Sequence, residues 1–178
     1  MFFRKKARRR AHAERLYSQI VKRARDAELY ENLGVDDSLD GRFDALILHL
    51  ALLRQALGTQ GAQANELISL VLETLVTDMD RTMREMGVGD LSVGKKVKAM
   101  MTAYKGREVA YAKALDEGDA SLREALVRNL YRGSSPNENV LAQISARITR
   151  DAETLERAAA DILAGGDCVW SENHVPTS

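Results

Sequence analysis

The tightest constraint on this chain is a spacing. Apolar residues recur every three or four positions along nearly its whole length, and the runs stop at glycine. Residues 42–57 carry Phe43, Leu46, Ile47, Leu50, Leu53 and Leu57, and then Gly58. Residues 65–86 carry Leu67, Leu70, Val71, Leu75, Met79, Met83 and Met86, and then Gly87. That period puts the apolar side chains on one face of an α-helix. A glycine just past the last periodic residue supplies the positive φ with which helices commonly end. No stretch alternates apolar and polar residues as a half-buried strand does. The pattern therefore predicts an all-α single domain, a bundle of about six or seven helices with a basic N-terminal arm.

The same reading divides the chain. Residues 1–10 form the arm, 11–166 the helical domain and 167–178 a loose tail. A first helix over 11–30 shares Leu16, Ile20, Ala24 and Ala27 on one face. Ser92 is placed to cap a helix over 93–117, which Gly106 splits or kinks. Ser121-Leu-Arg-Glu124 has the spacing of a capping box, and the last helix starts with Ser135 as N-cap, Pro136 at the first position and Glu138 at the third. Gly165 and Gly166 stop it. His49 lies near an apolar stripe, where a lone histidine is packed more often than it is reactive.

Charge is where composition matters. The net charge is zero, but residues 1–25 hold ten Lys and Arg against the single acid Glu14, a local +9 that the rest of the chain balances. Arg4, Lys5, Lys6, Arg8, Arg9 and Arg10 give the arm an anion-seeking surface, fit for RNA phosphate or anionic lipid, with Phe2 and Phe3 beside them as an interfacial anchor. No apolar run approaches the roughly 20 residues of a spanning helix. The single cysteine, Cys168, excludes an internal disulfide.

One near-match to a catalytic motif occurs. Gly89 to Lys95 fits G-x-x-x-x-G-K, but Lys96 stands where a phosphate-binding loop needs a Ser or Thr hydroxyl for Mg²⁺. The residues before Gly89 have helical rather than strand spacing. The chain lacks His-Glu-x-x-His and Glu-x-x-His, and Asp78, Asp80 and Glu85 lack the spacing of a calcium loop. The expectation is a binding protein rather than an enzyme, with no metal and no cofactor. An atypical phosphate-binding-loop NTPase and a basic-arm RNA or membrane adapter are the competing readings.

Three stretches together carry a resemblance. They are Leu16-Tyr-Ser-Gln-Ile-Val with Leu33-Gly-Val; Leu39-Asp-Gly-Arg-Phe-Asp-Ala-Leu-Ile-Leu-His-Leu; and the run Asp78 to Lys98, continued by Tyr104-Lys-Gly-Arg107 and Ala110-Tyr-Ala. They resemble the ubiquinol–cytochrome c chaperone family, over about residues 16–131. The resemblance implies an all-helical, non-enzymatic chaperone that binds nascent cytochrome b near the ribosome exit and the membrane, and that works with a small partner protein in mitochondria. The short arm fits a bacterial member, cytoplasmic and peripheral at the inner membrane, better than one of the mitochondrial matrix. Positions matching the family's motif are Asp40, Gly41, Arg42, His49, Asp78, Asp80, Arg84, Glu85, Gly87, Gly89, Asp90 and Lys95. All of these except Asp40 and Gly41 are the candidates for the client surface.

The mechanism expected is an apolar groove beside the Gly87–Gly89 turn. Met79, Met83, Met86, Met100 and Met101 flank that turn, and methionine suits a surface that accepts varied apolar partners. Asp80, Arg84 and Glu85 are expected at its edge. On this reading, changing Arg84 and Glu85 to Ala weakens client capture and leaves melting nearly unchanged.

Overall fold

The computed structural model describes residues 2–58 and 61–172, with side chains from Arg4 onward. Among these residues the chain forms seven helices and no strand: α1 Phe2–Ala24, α2 Ala27–Glu31, α3 Leu39–Leu57, α4 Ala62–Glu85, α5 Asp90–Glu117, α6 Asp119–Asn129 and α7 Glu138–Leu163. The side chains of the expected anchor, Phe2 and Phe3, and the far end of the tail lie outside what is described.

Helix α3 is the centre. Thirteen of its nineteen residues are buried, so it is apolar nearly all round rather than along one stripe. It packs against α1 on one side and against α5 and α7 on others, and touches α4. The surrounding helices follow chain order: α4 on α5, α5 on α6, α6 on α7, with α1 laid along α4. Leu16 and Ile20 of α1, Leu50 and Leu53 of α3, Leu75 of α4, and Ile144 and Ile148 of α7 close the core. Each such side chain contributes about 2 kcal/mol by leaving water.

Several local expectations shift. Residues 4–10 are not separate from the first helix but continue it as one rod from Phe2. Arg9 and Arg10 explain part of this, since they pair with Glu66 and Glu73 of α4 at 2.5 and 3.4 Å. The rod breaks at Asp26, whose carboxylate accepts from the Glu28 N–H at 3.2 Å and caps α2. Gly106 does not split α5 into separate helices: α5 runs unbroken through it, and a side chain there would meet only open space. An exposed glycine in a helix interior costs only about 1 kcal/mol relative to alanine, which the packing of Tyr104 and Tyr111 on either side offsets.

The caps also move. Gly89 precedes α5 and Gly118 precedes α6, so Ser92 and Ser121 lie inside the first turns. Helix α7 is capped by Asn137, whose side chain accepts from the Val140 N–H at 2.9 Å, two residues later than the Ser135 pattern implies. Pro136 then lies outside the helix. Gly87 behaves as expected: it takes φ +80° directly after α4, and the Val88 N–H bonds the Met83 carbonyl at 3.0 Å.

The tail is bound as far as Ser171. The Cys168 N–H donates to Gln19 Oε1 at 2.8 Å, and the Ser171 N–H donates to Asp151 at 2.9 Å. Burial pushes the Cys168 thiol up to about 12, so it is an inert packed group.

Candidate functional site

The turn Met86–Gly89 joins two long helices, α4 and α5, which pack on each other and both touch α3. Between them, the start of α3 and the end of α1 lies an open groove of about 690 Å³. Met79 and Met83 of α4, Met86 at its C-cap and Met100 of α5 line it together with Phe43 and Leu46 of α3. Four of the five methionines singled out from the sequence thus meet in one place. Met101 instead packs against the core. Met86 and Leu39, both in the lining, are each 58 % exposed, so the groove presents more than one open apolar residue.

The charged candidates separate into groups. Asp78 and Arg42 line the groove. Asp78 accepts from the Tyr17 hydroxyl at 2.8 Å and from Arg81 at 2.6 Å, which ties α4 to α1. Burial together with this carboxylate pushes the Tyr17 hydroxyl well above its ordinary range. Arg42 pairs with Asp37 at 2.7 Å, and the contact holds the Asp37 carboxyl below its usual range.

Asp80, Arg84 and Glu85 are not at the groove's edge as expected. Arg84 donates to Asp80 at 2.7 Å and also pairs with Asp90, clamping the end of α4 to the start of α5 on an exposed face outside the lining. Glu85 sits 4.0 Å from Arg81 on that same face. Helical spacing explains the displacement. Met79, Met83 and Met86 share one side of α4 at steps of four and three, and Asp80 and Arg84 fall one position round. Lys95 is exposed on α5, and Gly87 and Gly89 shape the turn.

His49 is in the core, fully buried, and so not on any surface a client could touch. Its Nδ1–H donates to the Ala45 carbonyl at 2.7 Å, and Trp170 stands edge-on to its ring. Desolvation pushes its pKa down to about 4.

Residues 90–96 of the near-match motif are the opening of α5, preceded by a helix and a turn rather than a strand. The Ser92 and Val93 N–H groups bond the Gly89 carbonyl at 2.8 and 3.2 Å and do not point into an open cradle. Among the described residues no group of three or more His, Cys, Asp or Glu is arranged to hold a metal ion.

The arm's six cations divide. Arg9 and Arg10 are spent on α4, whereas Arg4, Lys5, Lys6 and Arg8 are exposed with no ion pair among the described residues. No described helix is long and apolar enough to cross a membrane.

Sequence reasoning missed the buried ion pairs that set the groove's floor. Asp44 is fully buried one position after Phe43, and holds Arg107 of α5 and Arg132, each at 2.6 Å. Arg132 also reaches Asp40 at 2.8 Å. A carboxylate inside the densest apolar run of the chain was the available signal, since a buried charge needs a partner. A second pair, Arg23 with Asp151 at 2.8 Å, and a third, Arg147 with Asp26 and Glu28, pin α1 and α2 to α7.

The comparisons with known proteins point one way. The family described as ubiquinol-cytochrome C chaperone matches over residues 31–170. The crystal structure of the Cbp3 homolog from Brucella abortus superposes with a TM-score of 0.83 at 28% sequence identity, covering 96% of this chain and 94% of that one. No curated protein matches.

Proposed function

The chain belongs to the ubiquinol-cytochrome C chaperone family, and from that premise we propose that its methionine groove holds an apolar segment of newly made cytochrome b while ubiquinol–cytochrome c reductase is assembled at the membrane. The observation that carries this reading is the groove itself. It is a half-open apolar surface built from the longest stretch of family resemblance and left uncovered by the chain's own helices. Large exposed apolar surface on a folded protein marks an interaction site. Methionine side chains are unbranched and polarizable, so one lining can fit several apolar surfaces. Holding such a segment takes no bond-making chemistry, and the candidate residues serve packing and charge rather than a reaction.

Arg4, Lys5, Lys6 and Arg8 support a second contact, with ribosomal RNA or anionic lipid, that concentrates the chaperone where its client emerges. The groove alone discriminates between clients on this reading, and the cations of α1 only raise local concentration.

The test is capture of newly synthesised cytochrome b by the tagged protein from its own membranes. Met83→Asp with Met86→Asp places two charges in the exposed part of the lining and is expected to abolish co-purification while the helical melting transition is kept. Arg84→Ala with Glu85→Ala is the comparison outside the lining. Loss of capture there, with melting unchanged, moves the client surface to the outer face of the α4–α5 turn. Normal capture by the methionine variant removes the groove from the mechanism.

A further inference from the structure

The charged side chains that line the groove are mostly of one sign. Arg25, Arg42, Lys96, Arg107 and Arg132 line it against only two carboxylates, Asp40 and Asp78. Both acids are engaged within the protein: Asp40 accepts from Arg132 at 2.8 Å, and Asp78 from Tyr17 at 2.8 Å and Arg81 at 2.6 Å. Arg42, Arg107 and Arg132 are matched by Asp37, Asp44 and Asp40. Arg25, just past the end of α1, and Lys96, in the first turns of α5, have no ion pair among the described residues, and both are exposed. The apolar lining is therefore bordered by two cations with no ion-pair partner among the described residues, Arg25 just past α1 and Lys96 on α5.

The size of the groove limits what enters it. The lining on α4 runs from Asp78 to Met86, about 12 Å of helix at 1.5 Å per residue. A helix of roughly 10 Å diameter laid along that length presents about two turns to the lining, and the groove is open on its outer side. The groove thus accepts one face of about two helical turns, leaving the flanks of that segment beside the rim.

We infer that the occupant is an apolar helical segment with acidic residues flanking the two buried turns, recognised by Arg25 and Lys96. This rests on the groove being the client site and adds what the site selects. Membrane-spanning segments carry an excess of Lys and Arg in their cytoplasmic flanks. A basic rim repels such flanks, so the groove disfavours the commonest cytoplasmic end of a membrane span. Selection by a repulsive element of this kind is how an otherwise permissive apolar surface gains specificity.

The experiment uses the full chain and two synthetic helical peptides with the same Leu- and Ala-rich face, one flanked by Glu and the other by Lys. Binding is followed by fluorescence anisotropy. The Glu-flanked peptide is expected to bind about tenfold more tightly in low salt, with the gap closing as ionic strength rises. Arg25→Glu with Lys96→Glu is expected to reverse the preference, and the milder Arg25→Gln with Lys96→Gln to erase it should the reversal disturb folding. Equal binding of both peptides by the unaltered protein overturns the inference and leaves the groove as a client site. Absence of binding by either peptide, or binding unaffected by Met83→Asp with Met86→Asp, overturns the groove reading as well.

Discussion

Trp170 stands edge-on to His49, with ring centroids 5.5 Å apart and planes crossing at 78°. The contact joins the segment after α7 to the middle of α3 and roofs the most deeply buried histidine. The Arg23 guanidinium lies 5.8 Å from the same indole ring, and its Nη2 donates to Asp151 at 2.8 Å. An apparent tail thus completes the core.

Acid is expected to weaken the fold through His49. Desolvation lowers its pKa from 6.5 to about 4, and Asp151 and Arg147 of α7 and Arg23 of α1 are the charged groups acting on it. A depressed folded-state pKa means that the unfolded chain binds the proton more readily. The stability is fully present above about pH 6.5 and is lost as pH falls toward 4, at about 1.4 kcal/mol per pH unit. Urea midpoints measured from pH 7 to 4 check the slope, and His49→Gln is expected to flatten it.

Trp170→Ala is expected to destabilise the protein by about 2 kcal/mol, less than a fully buried tryptophan because the residue is only partly buried. Truncation after Gly166 removes the same contact and the two Ser171 hydrogen bonds to Asp151 as well, so its melting temperature is expected to fall further. Thermal melts of the two variants test the order. An unchanged melt in the truncation would show that the segment does not close the core.

Asp44→Asn is expected to cost about 3 kcal/mol, because it strips Arg107 and Arg132 of their buried carboxylate and leaves Arg107, mostly covered, uncompensated. Arg132→Ala removes the more exposed partner, so its cost is expected to be well below that. Chemical denaturation of both variants compares them.

Gly41→Ala is expected to destabilise by roughly 1–3 kcal/mol, since a Cβ there would lie 2.0 Å from the Asp36 carbonyl oxygen. Gly41 belongs to the family-like motif, and its role is this close approach at the start of α3. A melt unchanged by the substitution would show that the preceding loop yields.

Much of this was legible in the sequence, and the misses have causes. The 3.6-residue period of α4 put Met79, Met83 and Met86 on one side, and the paired methionine of α5 followed from the turn between them. The edge assigned to Asp80 and Arg84 was wrong because period alone does not say which neighbouring side faces the partner helix. Helix starts slipped at Ser92, Ser121 and Ser135, where an alternative cap a few residues away met the geometry of the incoming chain. His49 was read as a core histidine and as a motif position at once. Only the packing of α7 and Trp170 around it decided for the core.

By itself the sequence determined the helices, their order and the apolar faces that force them together, because these depend on residues three and four apart. The tertiary structure alone decided the groove and its charge. Its walls come from α1, α3, α4 and α5, and its floor is tied by Arg132 to Asp44 across 88 residues of chain. A cation is uncompensated only with respect to what folds beside it. That Arg25 and Lys96 stand without a carboxylate while Arg107 and Arg132 share one follows from which helix faces meet, and no local pattern encodes it.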